Sequence, residues 1–457
     1  MKRFTLMVLI ALLAIGSLLA TGAKEEAVEK GFAPTYTKDG RIEVMFWCTY
    51  TGDSSDFFDN IIAEFNESQG KYFVVKERNG NYYDQLAKMQ ATEQESLPAL
   101  CNSSSETVGS YLHSGIVKMV QDFMDADSSY KTSLYGNLVA TYGLNGRLIG
   151  YPLGQSLAGF FYNADVFKAA GIDPYTLRNM DAIHEAAVKI AEGGYAKYAI
   201  SEEHSGIWAN YAFAREGFYC TDNNNGTTGL PTKCLYDDNS NGFADIVERY
   251  YTAWADLAKK GYVYPFGAKI KDDLIPALGR GELAMIVTTN SYRANVNDAA
   301  NANGSTYGFV PMFSVTAQGK QTGYCASGNG FFIVDNGCNE EQLGAWEFIK
   351  YFTSPSVQLR WNKMTGYLPL YDEIYNSAEY QEFINNPENA YIKILIQELQ
   401  KADNSAFYAF TATNNVYSPA GATCLEAVMS GVPVKQAIAE MCATINESFE
   451  LYNATNR

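Results

Sequence analysis

Glu106 lies in the polar run Asn102-Ser103-Ser104-Ser105-Glu106. A carboxylate placed there can accept two hydrogen bonds from vicinal hydroxyls. Equally, an acid at a helix N-terminus offsets the helix dipole. Trp208, in Ser205-Gly206-Ile207-Trp208, offers an indole face on which the apolar side of a sugar ring can stack; burial in a core competes for the same side chain. Tyr82 follows Gly80-Asn81, a turn that leads into a helix, and belongs either on a cleft wall at that helix start or on the surface. The 33 tyrosines of the chain exceed what core packing requires. Their flat apolar faces and polar tips suit ligands rich in hydroxyl groups.

Asp237-x-Asn239-x-Asn241-Gly242-x5-Glu248 has the spacing of a twelve-residue calcium loop, with Asp245 at the ninth place. However, Ala244 stands where a larger apolar residue is usual. Pro231 and Cys234 interrupt any preceding helix, and Asn241 can instead cap the helix that follows. The polar-turn reading is favoured, and neither a metal nor a cofactor is expected.

Catalytic spacing is not found. Glycoside hydrolysis needs two carboxylates set across a cleft, and no acid here stands in a motif that singles out such a pair. There is no G-x-S-x-G, no H-E-x-x-H and no phosphate loop. His113, His184 and His204 lack nucleophile partners at motif spacing. His184 falls in a helix-like run and is read as structural. A secreted carbohydrate hydrolase is the alternative from another class, and an adhesin would need an exposed apolar patch.

Length and composition bound the elements that must position these groups. The 457 residues suggest two or three domains, and 47% hydrophobic residues suffice for sizeable cores. A net charge of −17 argues against nucleic acid, whose phosphates need a positive field. Lys2 and Arg3, an uncharged apolar run over 6–20, and the small residues Ala20 to Ala23 form the pattern of a secretory signal peptide, expected over 1–23. An uncleaved anchor is the competing reading, although the apolar run is short for a membrane span. The first cysteine is Cys48, so no lipid-anchor cysteine stands at the cleavage region, and a periplasmic location is expected. Residues 24–40 read as a flexible leader. Of the eight cysteines, Cys220 and Cys234 bracket a Gly/Asn/Pro-rich segment and can close a local loop in an oxidising compartment.

From residue 41 the pattern is α/β. Strands are expected over 42–47, 72–76, 148–152, 160–162, 283–288 and 330–334. Helices are expected over 57–65, from about 82, over 164–170, over 242–260 and over 434–452. Alternating strands and helices imply a parallel sheet with crossover helices.

Four segments carry a family resemblance: Tyr162-Asn163-x-x-x-Phe167-x-x-Ala170-Gly171-Ile172-Asp173-Pro174, Gly281-Glu282-Leu283-Ala284-Met285, Ala345-Trp346-Glu347-Phe348-Ile349-Lys350 and, most specifically, Trp361-Asn362-Lys363-Met364-Thr365-Gly366-Tyr367-Leu368-Pro369. In these the chain resembles the large extracellular solute-binding proteins of carbohydrate ABC importers, from about residue 42 to 453, and especially the glycerol-3-phosphate-binding members. The resemblance implies a two-lobed periplasmic-binding-protein fold of the α/β class, with hinge strands and a central cleft that closes on ligand. Crossings near Gly154, Asn290 and Gly328 then give one lobe from 41–154 and 290–328 and another from 155–289 and 329–457. The implied partners are a sugar or sugar-like small molecule and the permease subunits of an ABC transporter, with the binder itself a monomer.

The resemblance places Tyr82 and Tyr367 on the cleft wall. It brings Ser156 and Asn290 to lobe crossings, where each either binds ligand or ties the hinge together. Gly328, before a strand, lets backbone N–H groups approach a ligand or simply makes a turn. One departure matters. The glycerol-3-phosphate binders set an arginine late in the chain against the phosphate, whereas residues 402–434 here contain no Lys or Arg. Arg293 is the nearby candidate cation. An unpaired phosphate in a closed cleft is costly, so a neutral sugar or oligosaccharide is expected ahead of glycerol phosphate or its diesters.

Overall fold

Eight strands share one sheet, in the order β2-β1-β3-β10-β6-β8-β7 with β9 also on β6. In chain order the strands are β1 (Ile42–Cys48), β2 (Tyr72–Arg78), β3 (Leu100–Ser104), the small hairpin β4 (Gly143–Leu144) and β5 (Arg147–Leu148), β6 (Tyr151–Asn163), β7 (Tyr198–Glu202), β8 (Leu283–Thr289), β9 (Tyr307–Pro311) and β10 (Ala326–Ile333). The computed structural model describes residues 31–203, 206–265, 267–320, 326–401 and 409–455. The expected signal peptide, His204 and Cys325 lie outside them.

The sheet is mixed rather than parallel throughout. β1 pairs in parallel with β2 and β3, and β7 with β8, as crossover helices require. By contrast β10 is antiparallel to both β3 and β6, and β6 is antiparallel to β8 and β9. The expected strands 148–152 and 160–162 are largely one thirteen-residue strand, β6. Gly154 sits where a Cβ would lie 2.8 Å from the Tyr367 ring, so the position marks a close approach and not a turn.

β6 joins the two lobes. Residues from Tyr151 to Leu157 pair with β10, and those from Ala158 to Asn163 pair with β8 and β9. The chain therefore changes lobes between Leu157 and Ala158, three residues beyond the expected Gly154. Side chains alternate across this strand. Phe160 enters one core with Trp208, Phe213, Trp254 and Phe449. Phe161 enters another with Leu278, Ile286, Phe309 and Leu395. A third core, of the first lobe, gathers Val44, Phe46, Phe58, Tyr111, Phe331, Phe348, Phe352 and Trp361.

These cores redraw the expected lobe boundaries. Phe309, Val310 and Phe313 pack with the second lobe, not the first. The segment carrying Phe331 to Ile374 packs on β1 and the helix Asp53–Ser68, in the first lobe. The error has a physical source: helix Asn339–Phe352 follows the β10 crossing and returns to cover the first sheet half. Part of the expected leader is also built in. The Thr35 N–H donates to Glu341 Oε1 at 2.8 Å, and Glu43 N–H donates to the Thr35 carbonyl at 2.8 Å.

Segment 237–248 leads into the helix Phe243–Lys259. Asn241 Oδ1 accepts the Phe243 N–H at 3.1 Å, and Glu248 pairs with Lys435 at 3.4 Å. Among the described residues no group of three or more His, Cys, Asp or Glu is placed to hold a metal, and no helix is long and apolar enough to cross a membrane. His184 Nε2 lies 2.7 Å from Asp256 Oδ2 on the surface between two helices.

Candidate functional site

The carboxyl ends of the strands bring most of the notable polar groups together. β1 runs out into Thr49 and Tyr50. The loop after β2 is closed by Asn81, whose Oδ1 accepts the Tyr83 and Asp84 N–H groups at 2.9 Å and so starts the helix Tyr82–Gln90 with Tyr82 at its first position. β3 ends in a short turn holding Glu106. β7 leads into Glu203, and β8 into Asn290 to Tyr292. Ligands of open α/β sheets bind outside such strand ends.

A cavity of about 450 Å³ opens between the lobes here. Thr49, Tyr50, Tyr82, Asn329 and Tyr367 line it on one side, and Lys271, Ser291, Tyr292 and Asn295 on the other. Its floor is held by contacts within the protein. The Tyr367 ring stacks on Trp361 with centroids 5.8 Å apart. The Tyr367 hydroxyl accepts Asn329 Nδ2–H at 3.1 Å and lies 3.4 Å from the Tyr50 hydroxyl. Asn102 ties the next layer: its Nδ2 donates to Thr49 Oγ1 at 2.9 Å and to Asn329 Oδ1 at 3.4 Å. Satisfied polar networks of this kind hold side chains in one geometry.

Beside the cavity the two lobes touch. Ser104 Oγ donates to Glu106 Oε1 at 3.1 Å, and Ser418, from the helix Asn414–Met429, donates to Oε2 at 3.4 Å. Asn414 Nδ2 donates to the Tyr83 hydroxyl at 3.2 Å, and Ser110 Oγ to the Thr411 carbonyl at 3.0 Å. On the second lobe, Glu203 accepts Thr288 Oγ1–H at 2.9 Å and the Tyr292 hydroxyl at 2.8 Å. Burial pushes both carboxyls above the usual carboxylate range, and each is hydrogen-bonded by neutral hydroxyls. Among the described residues the cavity lining is phenolic and hydroxylic, with Asp53 and Asp298 as its acids and the exposed Lys271 as its one cation, while Glu203 holds the lining residue Tyr292 from behind.

The seven residues singled out in the sequence fall into different places. Tyr82 and Tyr367 share the cavity wall, and Glu106 sits in the seam between the lobes. Asn290 is a hinge tie: its Oδ1 accepts the Leu157 N–H and its Nδ2 donates to the Gly366 carbonyl, both at 2.7 Å. Both ends of that amide are therefore engaged within the protein. Ser156 is buried in β6 opposite Ser327 of β10. Gly328 has φ of +131°, and a Cβ there would lie 2.3 Å from the Gly154 carbonyl oxygen. Its glycine serves strand-to-strand approach. Trp208 is 2% exposed, packs with the second core and donates its indole N–H to the Glu203 carbonyl at 2.6 Å. It does not line the cavity.

Arg293, the expected candidate cation, is drawn away from the cavity. Its guanidinium donates to the Lys363 carbonyl and to Asn389 Oδ1, and lies over the Phe383 ring. Tyr50, Asn329, Tyr292 and Glu203 escaped the sequence reading. For Tyr50, Tyr292 and Glu203 the available signal was a polar or aromatic residue directly after a buried strand.

Glu202 gives a pH prediction from the same strand end. Its carboxyl accepts the Tyr250 hydroxyl at 3.3 Å, and burial pushes it from 4.5 up to about 8. The folded chain keeps this proton where the unfolded chain has released it, so the group subtracts stability as pH rises from 4.5 to about 8. Glu202→Gln mimics the protonated form. It is expected to raise the melting temperature by about 2–8 °C at pH 8 and to leave it nearly unchanged at pH 4.5. Scanning calorimetry at the two pH values checks this; an equal effect at both would contradict it.

A family model described as bacterial extracellular solute-binding protein matches residues 60–390. The sn-glycerol-3-phosphate-binding periplasmic protein UgpB of Yersinia pestis is 26% identical over 356 residues, covering 75% of this chain and 77% of that protein. UgpB of Escherichia coli K12 is 26% identical over 357 residues, covering 74% and 77%. Among solved structures, the GacH receptor of Streptomyces glaucescens aligns with a TM-score of 0.71 at 17% identity, covering 89% of this chain and 98% of that one. The cyclic alpha-maltosyl-1,6-maltose binding protein of Arthrobacter globiformis aligns at 0.68 and 18%, covering 90% and 99%.

Proposed function

Since the chain belongs to the bacterial extracellular solute-binding proteins, we propose that it captures a neutral sugar or oligosaccharide between its lobes and delivers it unchanged to the permease of an ABC importer. The chain would be exported to the periplasm behind a cleaved signal peptide and act as a monomer without enzymatic activity.

The observation that carries this reading is the lining of the interlobe cavity. Tyr50, Tyr82, Tyr292 and Tyr367 offer ring faces for the apolar sides of a sugar and hydroxyls for its edges. Asn329 adds an amide, and Thr49 and Ser291 add hydroxyls. Such groups donate to and accept from ligand hydroxyls without a charge to neutralise. Acarbose is bound by the GacH receptor and a cyclic maltosyl-maltose by the Arthrobacter protein, which supports the carbohydrate class.

A second reading, glycerol 3-phosphate or its diesters, is favoured by the UgpB relatives and by the structural match to Mycobacterium tuberculosis UgpB in complex with glycerophosphocholine. The charge pattern weighs against it. A phosphate in a cavity lined by Asp53 and Asp298, with Arg293 engaged elsewhere, would find only the exposed Lys271 as a cation among the described lining residues.

Thermal shift against neutral mono- and oligosaccharides, glycerol 3-phosphate and glycerophosphocholine separates the readings. A ligand at a hundredfold excess over Kd adds about 2.7 kcal/mol to stability, which is a rise of several degrees. The rise is expected with a neutral sugar and not with glycerol 3-phosphate. The opposite pattern would move the assignment to the second reading, and product release from glycosides would favour a hydrolase.

A further inference from the structure

Cys234 and Cys442 lie 208 positions apart in the chain, yet their Sγ atoms are 3.3 Å from one another. Both are buried, at 0% and 1% exposure. The contact is anchored by backbone, not by side chains alone. The Cys234 N–H donates at 2.7 Å to the Asn446 side chain, one turn beyond Cys442 on helix Val434–Thr455. Asn453, further along that helix, donates to the Pro231 carbonyl at 3.0 Å. The segment before the helix Phe243–Lys259 is thus docked along the C-terminal helix from Cys442 onward.

The expected partner of Cys234 was Cys220. Their backbones do run together, with Thr221 bridged to Cys234 and the Leu235 N–H on the Cys220 carbonyl at 2.9 Å. The thiols have different partners, however. The Cys220 thiol lies 3.6 Å from Asn210 Oδ1, and Cys424 bonds to the Tyr251 phenol. Only one described thiol pair stands within reach of bond formation, since a disulfide needs about 2.05 Å between sulfurs and the rest is closed by small side-chain rotations.

We propose that Cys234 and Cys442 are joined as a disulfide in the exported protein, bolting the C-terminal helix to the second lobe. The oxidant is a protein or glutathione disulfide of the export compartment. One cysteine thiolate attacks the oxidant disulfide and expels a thiol. The second thiolate then attacks the mixed disulfide, forming the Cys234–Cys442 bond and releasing the second oxidant thiol. Two protons and two electrons leave the protein, and the oxidant is reduced to two thiols. Burial in the native state means that the bond closes during folding, before the pair is covered. The bond fixes elements within one lobe and leaves the hinge free. The physiological setting rests on export of the chain, but the chemistry does not, so its test uses purified protein in a defined redox buffer.

The full chain is refolded with oxidised or with reduced glutathione, denatured, alkylated and digested with trypsin. Cleavage after Lys233, Arg249, Lys401 and Lys435 puts Cys220, Cys234, Cys424 and Cys442 on separate peptides. After oxidation, the peptide 234–249 is expected linked to the peptide beginning at Gln436, with two fewer alkylated thiols than in the reduced sample. The oxidised protein should melt about 5 °C or more above the reduced one. Cys442→Ser should lose that difference, and Cys220→Ser should keep it. Linkage of Cys234 to Cys220, or full alkylation of Cys234 and Cys442 after oxidation, would overturn the proposal. If Cys442→Ser fails to fold, the peptide map of the unsubstituted chain decides alone.

Discussion

Tyr367→Ala is expected to weaken capture of the matched sugar by about a hundredfold or more. Central aromatic anchors in desolvated pockets carry about 2–4 kcal/mol each, and 1.4 kcal/mol is tenfold in affinity. Tyr367 meets the conditions for such an anchor. It is 7% exposed, its ring is backed by Trp361, and its hydroxyl is fixed by Asn329. A ligand stacking on it gains area without ordering a loose side chain. Tyr367→Phe keeps the ring and loses one hydrogen bond, worth about 1 kcal/mol, so a loss of only about fivefold is expected. Titration calorimetry of both variants separates the two effects. A Tyr367→Ala protein that binds within about threefold of the unsubstituted chain would place the ligand elsewhere.

Trp361→Ala is expected to have the largest effect on stability, a loss of about 3–5 kcal/mol. The indole is 0% exposed and packs among Tyr50, Phe57, Phe58, Phe352 and Tyr367, with ring centroids 5.1–5.8 Å apart. Removing it leaves a cavity beneath Tyr50 and Tyr367 of the proposed binding cavity, so affinity should fall along with stability. Its indole N–H is buried without a hydrogen-bond partner among the described residues. Trp361→Phe removes that unsatisfied donor and fills most of the space, and a smaller loss of about 1–2 kcal/mol is expected. Urea denaturation of the three proteins checks the order. An alanine variant as stable as the phenylalanine one would mean that the packing around Trp361 relaxes freely.

Much of the architecture was legible because hydrophobic period and strand-end position are local properties. Val44 and Phe46 announce β1, and the helix Asp53–Ser68 shows its buried face at Phe58, Ile61, Ile62 and Phe65. The pocket tyrosines Tyr82 and Tyr367 follow from a capping turn and from a family motif. Lobe membership was less legible. Nothing in the sequence of helix Asn339–Phe352 says that it returns to the first lobe; only the side on which β10 pairs with β3 decides that. Trp208, Ser156 and Asn290 illustrate the same limit. Each has chemistry suited to a ligand, and the structure engages each inside the protein: the indole with the Glu203 carbonyl, the serine within paired strands, and the amide across the hinge. Glu203 and Tyr292 form a pair 89 positions apart, which no spacing rule reveals.

Capture without conversion is the core of the proposed role, and a combined binding and recovery measurement addresses it most directly. The sugar that raises the melting temperature is titrated into the protein, and the complex is then denatured so that the released molecule can be weighed by mass spectrometry. One molecule per chain, recovered intact and lost in a Tyr82→Ala/Tyr367→Ala double variant, is the predicted result. A cleaved or altered molecule, or binding that survives the double variant, would contradict it.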